Sequence, residues 1–181
     1  MDILSLHNLE PEEWLDMNAA NQVACAGNQH TCLPQIFIPA LDKRFDLKFE
    51  GQGESTLIGH NLGPRALIWK NTELFGEHEE LGKLKVSLKE NVDHAGTIIP
   101  LKGGESFPAF NRNTYFFVME IENIGRMISE RPAIVEAIID AVPPTATYTF
   151  KNGPLNFYLE GDLEKQTVMI LEKAQTHVSP Y

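Results

Sequence analysis

The sequence predicts a mainly β protein, an antiparallel two-sheet sandwich with an N-terminal helix. Residues 130–142 are open to two readings, a further helix or a buried strand. Three observations predict this class. Several short runs alternate apolar and polar residues with the period of a half-buried strand. Turn signals recur every ~8–12 residues, the spacing of a sandwich or barrel. No stretch before residue 125 alternates strands with long helices, which argues against a parallel α/β sheet.

Residues 1–32 read as a helical segment packed on the main body. Glu10-Pro11-Glu12-Glu13 has the early proline and first-turn acids of a helix start. Trp14, Leu15, Met17, Ala20, Val23 and Ala24 supply an apolar stripe, so a helix is expected from about residue 11 to about residue 24. Residues 33–181 then form the β domain. Leu33 to Pro39 is a short extended segment bracketed by prolines, which suits an edge strand. Arg44 to Glu50 places Phe45, Leu47 and Phe49 on one face, and Lys83 to Lys89 places Leu84, Val86 and Leu88 inward. Ser55–Gly59, a segment within Arg65–Phe75 with Leu67 and Trp69 on one face, and Gly96–Leu101 are further strands. Tyr115 to Glu122 is the most strand-like run of all, rich in aromatic and β-branched residues and free of Gly and Pro. It reads as the central strand.

The second half is harder to read. Ser129 and Pro132 suit a helix start, and Ile134, Val135, Ile138, Ile139 and Val142 recur at helical spacing. The same residues can be drawn as a buried strand, but the helix is the preferred reading. Thr145–Phe150 and Leu155–Leu159 flank Lys151-Asn152-Gly153-Pro154, a hairpin signal. Thr167–Leu171 is the last expected strand, with Ala174–Tyr181 as a polar tail.

Composition narrows the function classes. The 181 residues carry a net charge of −10 with 43% hydrophobic residues, enough for a full core. The acids are spread along the chain, and no Lys/Arg stripe offers the footprint of nucleic-acid binding or of an anionic membrane surface. No apolar run reaches the ~18–20 residues of a membrane span. The first residues lack the basic and apolar regions of a secretory signal, so a cytoplasmic protein is expected.

Candidate chemistry is sparse. Cys25, His30 and Cys32 are the residue types that zinc or copper selects, with His7 or His60 as a fourth ligand. Their spacing fits no standard zinc framework. Ordinary thiols or a small loop disulfide are the competing readings. A cysteine nucleophile would need His30 folded back onto the thiol. The loop holding His60, Asn61 and Arg65, with Trp69 beyond it, gathers a base, an amide, a cation and an aromatic, and is the candidate ligand-binding site. Turn chemistry alone would give the same composition. Glu77, Glu79 and Glu80 around His78 match no calcium loop and read as a solvated turn. Tyr115, Tyr148 and Tyr158 could stack on a sugar or a partner protein, although core packing is the commoner fate of such residues. No phosphate-binding loop, dinucleotide fingerprint, zinc-protease motif or nucleophile elbow occurs.

The expected function is therefore non-catalytic. The reading is a soluble sandwich module that needs no cofactor. It binds a protein partner or carbohydrate, or assembles into a homo-oligomer through an uncovered sheet edge. The alternative is a small metal-binding protein or metal-dependent enzyme built on Cys25, His30 and Cys32.

Overall fold

Alternation of inward and outward side chains runs through most of the chain, and hydrogen-bonded strands carry it round a closed wall. The structure, a computed structural model, describes residues 22–59 and 63–180. It begins with β1 (Gln22–Ile38), a 3-10 turn at Pro39–Leu41, β2 (Lys43–Asp46), β3 (Phe49–Gly59) and β4 (Arg65–His78). Next come β5 (Gly82–Leu88), β6 (Ala95–Pro100), β7 (Ala109–Tyr115), β8 (Phe117–Ile121) and β9 (Gly125–Ser129). The chain ends with β10 (Ala133–Ile139), β11 (Ala146–Phe150), β12 (Leu155–Leu159) and β13 (Asp162–Pro180).

These strands form one antiparallel sheet. β2 continues β3 against β1, because Gln35 faces Asp46 and Cys32 faces Phe49 in one unbroken register. β5 and β6 both lie between β4 and the β7/β8 pair. β9 and β10 both pair with β8 and β7 on one side and with β12 and β11 on the other. β11 and β12 both pair with β13, which returns to β1 from Asn28↔Pro180 to Phe37↔Met169. Each interrupted pair therefore acts as a single stave. The described residues thus make a closed up-and-down barrel of about eight staves, the size whose interior side chains nearly fill and which can hold one small ligand.

Three expectations change accordingly. The sheet closes on itself, so the two-sheet sandwich is replaced by a barrel. Within residues 129–142 the segment Ala133–Ile139 is strand, not helix: Ala133, Val135, Ala137 and Ile139 form the inward row, and exposed Ile138 belongs to the outer face. The expected helix at 11–24 lies outside the described residues except for Gln22–Ala24, which are in β1.

Local chemistry explains the interruptions. Leu33–Pro39 is not an edge: β1 is paired on both sides. Pro34 has no N–H for the ladder, yet its carbonyl still accepts the Leu47 N–H at 3.0 Å, and the β1/β13 register shifts just beyond it. Lys151–Pro154 does not turn a hairpin, because β11 and β12 do not pair with each other. Instead the Asn152 side chain accepts the Ile134 N–H and donates to the Pro132 carbonyl, each at 2.8 Å, bridging two staves where the strand breaks. The expected central strand is likewise split at Phe116, whose N–H donates to His94 Nδ1. Finally, the polar tail is the closing strand: Ala174–Val178 pairs with β1 and β11.

The wall itself approaches closely at Gly51. A Cβ there would sit 2.0 Å from the Glu73 carbonyl oxygen. Gly51→Ala must push β3 away from β4 and is expected to cost about 3 kcal/mol, measurable by urea unfolding with the wild type as reference.

Two groups of buried side chains fill the ends. One contains Ile36, Phe45, Leu81, Leu84, Ile121 and Met127 and lies toward the short turns that join β4 to β5 and β8 to β9. The other contains Leu67, Trp69, Ile98, Ala109, Ile139 and Tyr148, toward the opposite end. The outer face carries Lys48, Glu50, Glu73, Lys85, Glu120 and Arg126, several in exposed ion pairs. Apolar inside and charged outside is the reverse of a membrane-spanning barrel. Among the described residues no helix is long and apolar enough to cross a membrane.

Candidate functional site

Between the two packed ends the barrel is not filled. A cavity of ≈ 80 Å³ remains, lined by residues from both groups, including Phe49, Leu74, Met119, Tyr148, Leu155 and Phe157. Leu88, Phe117, Val135, Ile170 and Ala174 also line it and are only partly buried. The reason lies in the inward row. Ala133, Ala174 and Thr176 are small residues where neighbouring staves carry Phe, Leu or Met, so facing side chains do not meet. A single water needs only ~10–15 Å³ of this kind of space. An engineered apolar cavity that takes up benzene measures ~150 Å³. At about half that volume the resting cavity takes only a short slender chain, and a longer rod or a ring system enters as the walls move.

Among the described residues the wall of the cavity contains no Asp, Glu, Lys or Arg. Its polar groups come from His30, Thr72, Tyr115, Tyr148, Cys32 and Thr176. Cys32 is a free thiol whose sulfur accepts from Thr176 Oγ1 at 3.3 Å, and burial raises its pKa, so it stays a thiol. Tyr148 donates to Asn111 Oδ1 at 2.6 Å, and burial holds its hydroxyl protonated far above neutral pH. Asn111 and Asn113, both fully buried on β7, bond each other, while Asn113 Oδ1 accepts Trp69 Nε1 at 3.2 Å and Asn111 donates to the Thr97 carbonyl at 2.9 Å. This network closes one end of the cavity. Asn111→Leu removes the shared partner of Tyr148 and Asn113 and is expected to cost about 3 kcal/mol, whereas Tyr148→Phe should cost about 1 kcal/mol. Chemical denaturation of both variants checks the order.

His30 and Asn28 sit on the inner row of β1, at 4% and 0% exposure. Asn28 Oδ1, Asn28 Nδ2 and His30 Nε2 have no hydrogen-bond partner among the described residues. The His30 ring stands edge-on to Trp69, with centroids 5.5 Å apart. Burial lowers its pKa to about 4, so the imidazole is neutral at pH 7.

The sequence-derived candidates are distributed differently from expectation. His60 and Asn61 lie outside the described residues. Arg65 and Trp69 are not displayed on a loop. Arg65 is buried, donates from Nη2 to the Ser106 carbonyl at 2.8 Å and lies over the Phe107 ring, while Trp69 is core. Cys32 and His30 do share the cavity wall. Cys25 is in β1 opposite Ser55, but its side chain is outside the description. Among the described residues no group of three or more His, Cys, Asp or Glu side chains is placed to hold a metal ion.

No protein-family model and no curated protein sequence matches this chain. Among solved structures it is similar to DynF from the dynemicin biosynthesis pathway of Micromonospora chersina. The TM-score is 0.74 over 91% of this chain and 83% of that one, at 17% sequence identity. At that identity the likeness concerns the fold. Sequence reasoning missed the cavity residues on β10 and β13. Their signal is weak because the inward positions hold Ala and Thr, which carry little hydrophobic contrast. A finer signal was present in β1, where Asn28, His30, Cys32 and Pro34 occupy every second position of one inner row.

Proposed function

We propose that this protein is a non-catalytic binding module that carries a slender apolar small molecule inside its barrel. The single observation that carries this reading is the unfilled interior, whose wall is almost entirely apolar and carries no fixed charge. Enclosure of this kind is how small barrels hold hydrophobic ligands. Burying ~25 cal/mol per Å² of ligand surface gives such a site micromolar affinity or better for a chain of several carbons. Among the described residues the cavity wall holds no acid–base pair of charged side chains and no metal cluster. The fold it shares with a protein of a biosynthetic pathway is compatible with a role in handling a biosynthetic small molecule.

The test uses 1,6-diphenyl-1,3,5-hexatriene, a rod-shaped hydrocarbon whose fluorescence rises when water is excluded. Saturable binding near one molecule per chain is expected, with a Kd in the micromolar range. A linear, unsaturable signal would refute the reading.

A second reading keeps the carbohydrate expectation. The outer face of β1, β3 and β4 bears a shallow groove between Gln29, Gln52, Asn71 and the half-exposed ring of Phe75, a polar and aromatic surface of the kind sugars stack on. Three of its polar side chains are already engaged, Asn71 with Glu54, Glu73 with Lys85 and Glu50 with Lys48. That makes it the weaker candidate. Glycan-array binding lost in Phe75→Ala, with no uptake of the hydrocarbon probe, would reverse the order.

A further inference from the structure

Resting on the binding function above, we propose that His30 on the cavity wall, with Asn28 next to it in the same inner row, forms a polar seat, and that the natural ligand carries an uncharged hydrogen-bonding end group, a hydroxyl or a carbonyl. A fully apolar cavity would need no such residues. Here three buried side-chain atoms, Asn28 Oδ1, Asn28 Nδ2 and His30 Nε2, are left without a protein partner in one inner row, while the polar groups of the neighbouring Asn111–Asn113–Tyr148 network are paired. An unpartnered buried polar group costs ~1–3 kcal/mol, so several together mark a place where a partner is expected.

The seat is tightly packed from the β3 side. Gly53 faces Asn28 across the β1/β3 ladder. A Cβ on Gly53 would lie 3.0 Å from His30 Nε2 and 2.6 Å from Thr72 Oγ1. The absent side chain lets Thr72 and the imidazole approach the β3 backbone this closely, so an end group reaches the seat from the cavity that His30 and Thr72 line, as these side chains shift. An amide and an imidazole together offer donors and an acceptor, which serve a hydroxyl or a carbonyl equally well.

The charge of the end group follows from the wall. Among the described residues no Lys or Arg lines the cavity. The buried Arg65 engages the Ser106 carbonyl and the Phe107 ring. A carboxylate placed at the seat would be desolvated with no fixed countercharge, a large penalty. A hydroxyl or carbonyl incurs no such penalty.

The experiment measures displacement of diphenylhexatriene by 1-decanol and by decanoate at pH 8, on the wild type and on Asn28→Leu, His30→Phe and His30→Gln. Diphenylhexatriene has no polar group, so its own Kd reports whether each variant keeps the fold and the cavity. The expected result is that decanol displaces the probe at least ~10-fold more effectively than decanoate, the worth of about one hydrogen bond. His30→Phe and Asn28→Leu should weaken decanol ~10-fold while leaving the probe within threefold, and His30→Gln should restore decanol binding. Probe binding with decanol and decanoate equal, or with decanol unaffected by both apolar substitutions, would overturn the seat and leave the apolar cavity standing. Failure of wild type to bind the probe would overturn the cavity and the seat together.

Discussion

Ala174→Phe is expected to weaken diphenylhexatriene binding by at least ~10-fold while leaving the protein folded. Ala174 is on β13, partly buried, and faces the cavity against the larger of the two packed groups. A phenyl ring at that position occupies the space the ligand requires. Substitution into a close-packed core costs ~1–3 kcal/mol, but a residue that fills an existing cavity is commonly neutral or stabilising by ~0.5–2 kcal/mol. The stability change should therefore fall within about 1 kcal/mol of zero, read from urea unfolding. Loss of binding at unchanged stability separates occlusion from unfolding. Unchanged binding would place the probe elsewhere on the molecule.

Acid should destabilise the fold through His30, by about 2 kcal/mol between pH 7.5 and pH 5 and by roughly 3 kcal/mol in total below pH 4. The imidazole is buried without a charged partner, and desolvation lowers its pKa from 6.5 to about 4. As pH falls through 6.5 the unfolded chain takes up a proton that the folded chain refuses. The contribution is thus fully present above pH 6.5, declines between about 6.5 and 4, and is constant below. His30→Phe should flatten that limb of the stability–pH curve. The difference between the wild-type and variant curves isolates His30 from the other histidines and from the carboxylates. A wild-type curve that is level between pH 7.5 and pH 5 would show that His30 meets solvent or a carboxylate in solution.

How much of this was legible beforehand depends on what each residue packs against. Phe45, Leu47 and Phe49, and likewise Leu84, Val86 and Leu88, alternate with charged residues, and their inward placement followed from the sequence. There, a large apolar residue meets another across the core, so contrast is high. Around Ile134 and Ile138 the outward positions are as apolar as the inward Ala133, Val135 and Ala137, so the period of two is masked and a helical spacing fits as well. Barrel closure was not legible because it is non-local: β1 and β13 pair across the full length of the chain. The closing residues Ala174, Thr176 and Val178 alternate with Gln175, His177 and Ser179, a contrast that reads as a tail until its partner is known.

The same lack of contrast hid the site. Cavities are made by small inward residues, and small residues give little signal. His30 and Cys32 were recognised as chemically notable, and the metal reading also needed Cys25, whose side chain lies outside the described residues. In a strand, positions 28, 30, 32 and 34 share one face, and His30, Cys32 and Pro34 of that row line the apolar cavity. Arg65 was read as part of a displayed loop with Trp69 on the strand beyond it, whereas β4 already begins at Arg65 and buries both side chains.

The most direct test of the central claim is methyl-labelled NMR of the protein titrated with 1-decanol. Intermolecular NOEs from the Leu88, Val135 and Ile170 methyl groups to the decanol chain are expected, together with a shift of the His30 ring resonances. NOEs or shifts confined to outer-face residues such as Leu33 and Ile138, with the interior methyl groups unmoved, would contradict the account.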